Sequence, residues 1–118
     1  MGGADIQDRT KKFAVRIIRM VRVLPKEEAS FVIAKQIIRS ATSIGANLVE
    51  GSGGVSKKDF INFMNIARKS ALETRYWLEL IIAADLLSKD KLKELLGEIE
   101  EIIKILTKIV LNSKYSLK

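Results

Sequence analysis

An all-α fold, an antiparallel up-down-up-down four-helix bundle formed as one domain over residues 1–118, is predicted by three observations. Apolar residues recur at three- and four-residue spacing through almost the whole chain, the period of helices with one buried face. Breaks fall at only three places: Pro25, the glycine run Gly51-Ser52-Gly53-Gly54, and Leu87-Ser88. Proline occurs once and 47% of residues are hydrophobic, so long uninterrupted segments and a sizeable core are permitted. The helices are expected at about 5–23, 27–50, 57–84 and 89–112.

The first helix opens with Asp5 as a candidate cap and Asp8 near its positive end. Ile6, Phe13, Ile17, Val21 and Leu24 form its inner stripe. Pro25 ends it, because the residue before proline resists the helical conformation. Arg9, Lys11, Lys12, Arg16, Arg19 and Arg22 follow one another with no acid between them. At 100° per residue, Arg9, Lys12, Arg16 and Arg19 share one side. Solvated faces usually mix both signs, so this one is a candidate anion contact.

The second helix follows the proline, with Glu27 and Glu28 in its first turn. Ala34, Ile37, Ile38, Ala41, Ile44, Gly45 and Leu48 form its apolar run. Lys35 and Arg39 share a face. Ser40, Ala41, Ser43, Gly45 and Ala46 are small, which lets a neighbouring helix approach closely. Asn47 and Glu50 form either a ligand-facing polar pair or, the reading we prefer, hydrogen bonds that tie the hinge to the third helix. Gly51 suits the left-handed position that ends a helix. Ser56 and Asp59 give the S-x-x-D variant of a capping box for the next helix.

The third helix is expected to be about 40 Å long. It carries one apolar stripe through Phe60, Met64, Ala67, Ala71 and Leu78, and a second through Phe63, Ile66, Trp77 and Leu80. One bundle interior needs only one stripe. Arg68, Lys69 and Arg75 form a second basic patch, with Glu73 placed to pair with Lys69. In the fourth helix, capped by Ser88 or Asp90, Leu92, Leu95, Ile99, Ile102, Leu106 and Ile109 make a heptad seam. Leu96, Ile103 and Val110 add a second row. The surplus stripes make Phe63, Ile66, Trp77, Leu96, Ile103 and Val110 candidate oligomer contacts. The tail, Tyr115 onward, is expected to fray.

The stretch SATSIGANLVEGSGGVSKKDFINFMNIARKSALETRYWLEL resembles the signature of a four-helix-bundle family first noticed in intervening sequences within bacterial 23S ribosomal RNA genes. The likeness covers nearly the whole chain. It includes SIGANLVEG, SKKDF, NFMNIARKSALET and the Pro25 break. That family includes relatives of the accessory proteins of diversity-generating retroelements. The resemblance implies a barrel-like homopentamer with basic surfaces, and a reverse transcriptase as one possible protein partner.

Several chemistries find no support. With no cysteine and no histidine there is neither a disulfide framework nor a transition-metal site, and no serine–histidine pairing. Gly51–Lys58 lacks the spacing of a phosphate loop and a preceding strand. No enzyme activity and no cofactor are expected. No apolar run approaches a bilayer span and the N-terminus does not read as a secretory signal, so a cytoplasmic location and no membrane partner are expected. The chain has 21 Lys and Arg against 14 Asp and Glu, a net charge of +7, which favours an acidic partner. The expected function is non-sequence-specific binding of RNA or DNA through phosphates, by Arg9, Lys12, Arg16, Arg19, Arg22, Lys35, Arg39, Arg68 and Arg75. The alternative is a protein-interaction scaffold or accessory subunit, for example for a retroelement reverse transcriptase.

Overall fold

The computed structural model describes residues 3–53 and 56–116. Four helices follow in order: α1 (Gly3–Val21), α2 (Glu28–Ser52), α3 (Lys57–Ala83) and α4 (Lys89–Ser116). Among the described residues there is no strand. Each helix packs on two neighbours, α1 on α2 and α4, and α3 on α2 and α4, and the diagonal pairs make no close backbone approach. The bundle measures 49 × 21 × 20 Å. The α2–α3 seam is the most extensive and the α1–α4 seam the slightest.

The α2–α3 seam is built from small residues, as the composition of α2 implies. Ala41, Ala67 and Ala71 are fully buried. Between them hydroxyls pair across the seam: Thr74 Oγ1 donates to Ser40 Oγ at 2.8 Å, and Ser43 Oγ meets Ser70 Oγ at 3.0 Å. The preferred reading of Asn47 is refined rather than met outright. Its Nδ2 donates to Ser43 O and Ser43 Oγ, so it reaches α3 only through that serine, while Glu50 is exposed.

Several expectations about individual residues are corrected. Helix α1 starts before Asp5, which lies in its first turn instead of capping it. Its buried stripe uses Met20 in place of the half-buried Val21, and includes Thr10, whose hydroxyl is satisfied by Ile6 O and Gln7 O. In α2, Ala34, Ile38 and Gly45 lie at the edge of the core, and Ser30, Ile33 and Ser40 lie inside it. In α3 Phe60 is half-buried and packs against the core, and Ile61 beside it is also buried. In α4 the seam ends on Val110, 4% exposed, and Ile109 is only partly buried. A straight helix turns every 3.6 residues and drifts off a 3.5-residue repeat, so the last step is four instead of three. Val110 is therefore part of its own subunit's core. Tyr115 and Ser116 are still helical backbone; positions 117–118 lie outside the described residues.

The helix ends show the local chemistry. Gly51 remains inside α2 and is buried, and no described glycine has a positive φ. Its role is close approach: a Cβ there would fall 2.6 Å from Met64 Cε and 3.0 Å from Phe63 Cβ. Gly53 caps α2 at φ −89°, and Gly54 of the expected hinge lies outside the described residues. Ser56 Oγ accepts from Asp59 N at 3.1 Å, as the capping motif requires. Ser88 rather than Asp90 caps α4, accepting from Lys91 N at 3.3 Å. The end of α3 is a Schellman motif: Leu86 N donates to Ile81 O and Asp85 N to Ile82 O, both at 3.0 Å. Leu86 then folds back as a buried residue of the core beside α3's last turn. The left-handed position is held by Asp85, φ 60°, where glycine is the usual occupant.

Two stability outcomes are expected in denaturant unfolding. Asp85→Gly relieves the left-handed strain and stabilises the fold by about 0.5 kcal/mol, whereas Gly51→Ala overpacks the hinge and costs about 1–3 kcal/mol. Among the described residues Ser30 Oγ is buried with no hydrogen-bond partner, so Ser30→Ala is expected to be neutral or stabilising, unlike Ser40→Ala, which removes the Thr74–Ser40 hydrogen bond across the seam and leaves Thr74 Oγ1 only Ser70 O within its own helix.

Candidate nucleic-acid interface

The cations singled out in the sequence divide into two groups. The first group is engaged across helix seams. Arg9 makes a two-pronged contact with Glu98, Nε to Oε2 at 2.6 Å and Nη2 to Oε1 at 2.9 Å. Arg75 Nη1 donates to Glu100 at 2.8 Å, and Arg68 Nε to Thr107 Oγ1 at 3.1 Å, so both bind α3 to α4. Arg39 pairs with Glu73 and also reaches Gln36. Glu73 further accepts from Trp77 Nε1 at 3.1 Å, so its partners are Arg39 and Trp77 and not Lys69. Lys12 crosses no seam: it meets Asp8 of its own helix at 3.0 Å, an exposed pair that contributes little.

The second group is free to meet an anion. Arg19, Arg22 and Lys35 are exposed and make no ion pair among the described residues. Arg16 reaches only Glu94, at 3.7 Å, on a carboxylate side chain 91% exposed; such a pair contributes little. The end of α1 lies beside the start of α4, where Lys89, Lys91 and Lys93 are also exposed. Between the two helices is an open hollow of about 360 Å³, rimmed by Arg16, Arg19 and Lys91. The three α4 lysines were not singled out in the sequence. Their position next to Arg16 and Arg19 follows from the antiparallel fold, not from local pattern.

The candidate oligomer contacts are also placed. Phe63, Trp77, Leu96 and Ile103 are half-buried and pack against their own core, filling the α2–α3 and α3–α4 seams. Ile66 is 38% exposed. The larger open apolar surface lies elsewhere, along α1–α2. A groove of about 510 Å³ there has a mixed lining, Ala14, Gly45, Ala46 and Val49 beside Gln7, Asp8, Thr10, Lys11 and Thr42, with Val49 59% exposed. Helical periodicity continues the same face through half-buried Ile18, Val21, Ala34 and Ile38 to the exposed Phe31.

Among the described residues no group of acidic side chains is placed to hold a metal ion, and no helix is long and apolar enough to cross a membrane. Fold and surface together define a basic antiparallel four-helix bundle in which Arg16, Arg19 and Lys91 meet where α1 ends and α4 begins, with Lys57, Lys58, Lys69 and Lys108 exposed elsewhere. The family model described as 23S rRNA-intervening sequence protein matches residues 4–108, and the chain belongs to that family. It is similar to a crystal structure from Bacteroides thetaiotaomicron VPI-5482, described as a protein with unknown function from the S23 ribosomal protein family. The two share 43% identity with a TM-score of 0.83, over 89% of this chain and 97% of that one. No curated protein matches the chain.

The Arg9–Glu98 contact gives an acid signature. The hydrogen bonds from Arg9, then its charge and that of Arg16, hold the Glu98 carboxyl below its ordinary value against the opposing effect of burial. A carboxyl depressed on folding stabilises the fold above its unfolded pKa, about 4.3, and that contribution disappears as pH falls through the lower folded value. Glu98→Gln is therefore expected to lower the unfolding midpoint at pH 7 and to flatten its fall between about pH 5 and pH 3, read by circular dichroism.

Proposed function

We propose that the protein is a non-enzymatic, cytoplasmic oligomer that binds RNA or DNA through backbone phosphates with little regard to sequence. The observation that carries this reading is the cluster of cations without strong partners at one end of the bundle: Arg16, Arg19 and Lys91 around a single hollow, with Arg22, Lys89 and Lys93 exposed on the same end. Asp90 and Glu94 are the acids on that stretch of α4, too few to balance it. The names of the family and of the similar structure both refer to ribosomal components, which makes RNA the first polyanion to test.

Self-association is supported by exposed apolar residues at more than one place on the bundle. Val49 lines the α1–α2 groove, while Tyr76 on α3 and Leu111 on α4 are 55% and 61% exposed. Contact between two such different surfaces is head-to-tail, which closes into a ring when the rotation allows. Such a ring would repeat the basic end once per copy and multiply weak phosphate contacts.

Binding to total cellular RNA is expected to weaken about 40-fold between about 50 and about 200 mM salt if three phosphates are met per subunit. Arg19→Glu with Lys91→Glu should abolish it, while Arg75→Glu should act mainly on stability; salt-independent affinity would overturn the reading. In light scattering, Val49→Glu and Leu111→Glu should each give the 13.2 kDa monomer, and a mixture of the two should recover a dimer. A wild-type monomer at micromolar concentration would remove the self-association part.

A further inference from the structure

We propose that the hollow between α1 and α4 receives one unpaired nucleobase, so that the protein prefers single-stranded or looped-out nucleotides to continuous duplex. The inference rests on the phosphate-binding reading above and adds to it what lies beside the phosphate. The floor of the hollow is apolar: Met20, Leu87, Leu92 and Leu95 are all at most 9% exposed, and Val23, 62% exposed, forms its lip. Its rim is cationic, with Arg16, Arg19 and Lys91 around that floor. Arg19 and Lys91 have no acid partner among the described residues.

An apolar surface ringed by cations fits a ligand that joins an apolar face to an adjacent negative charge. A nucleotide is such a ligand. In a duplex, stacking and pairing cover the base, leaving only edges and phosphates to a protein; an unstacked base shows its whole face. That face can lie on the leucines and the Met20 thioether, which makes favourable contacts with aromatic rings. The guanidinium planes of Arg16 and Arg19 stand where they can flank the base or hold its phosphate. The volume of about 360 Å³ lies in the lower range of small-ligand sites, enough for a base and too small for a stretch of duplex. Among the described residues no aromatic side chain lines it: Tyr76 and Trp77 are on α3 and the exposed Phe31 is on α2. The platform here is aliphatic, which is why the aromatic content of the sequence does not reveal it.

The test compares three probes against the intact protein by fluorescence anisotropy at fixed salt: a short single-stranded oligoadenylate, a strand of equal length built of abasic sites, and the corresponding duplex. The single strand is expected to bind about tenfold tighter than either of the others. Methyl resonances of Met20, Leu87 and Leu95 should shift upfield as the single strand is added, the ring-current mark of a base over them. Equal affinity for the single and abasic strands, or methyl shifts confined to other residues, would overturn the base pocket while leaving phosphate binding standing. Failure of all three probes to bind would overturn both.

Discussion

The closeness of α2 and α3 is the constraint from which the rest of the bundle follows. Two long helices approach this tightly only if the residues between them are small, and Ala41, Ala67 and Ala71 meet that condition. Small apolar residues bury little area, so the seam gains from directed contacts: Ser40 with Thr74 and Ser43 with Ser70. A shift of either helix by one residue would break both pairs and leave Ser40 and Thr74 only the carbonyls of their own helices. The seam thereby sets the register of the hinge, where Gly51 admits Met64 and Phe63. With α2 and α3 fixed, large side chains can fill the remaining space. Phe13 and Ile17 from α1, and Leu92, Ile99, Ile102 and Leu106 from α4, are all at or below 1% exposure.

Charge is used differently on the two sides of the bundle. Along α3–α4, Arg68 and Arg75 are drawn onto Thr107 and Glu100, so arginines that look like ligand contacts serve to hold helices together. Along α1–α4 the same applies to Arg9, but the acids of α4 become sparse toward its first turn. Arg16 has a weak partner and Arg19 has none among the described residues. The basic stripe of α1 is therefore graded, from a locked end near the N-terminus to an open end near Pro25. This gradient, more than the total charge, sets where α1 exposes arginines without a strong partner.

Much of the architecture was legible in the sequence because it is written in short-range pattern. Helix number and spacing follow from periodicity, the first break from Pro25, the start of α3 from Ser56, and the tight α2–α3 contact from the serines and alanines. What was not legible depends on residues far apart in the chain or on small geometric drift. Arg9 and Glu98 are 89 positions apart, and no local rule pairs them. Val110 replaces Ile109 in the core because a heptad ruler is slightly short for a straight helix. The Schellman turn after α3 was hidden because its left-handed residue is Asp85. Gly51 was read through its backbone freedom, while its neighbours show that the missing side chain matters. The open cation site was half legible: Arg16 and Arg19 stood out, but Lys91 joins them only once the chain has folded back.

The slight α1–α4 seam has a consequence for how the molecule comes apart. Helix α1 meets α4 through few backbone approaches and the bridge from Arg9 to Glu98, and it owes most of its anchoring to α2. Sub-global opening therefore has a preferred first step, in which α1 peels from α4 while α2, α3 and α4 stay folded as one cooperative unit. Amide protons of α1 would exchange with solvent sooner than those of α2 and α3. The arginines that α1 carries would then sit on the most readily released part of the bundle, and a bound polyanion spanning α1 and α4 would act as a clasp across it.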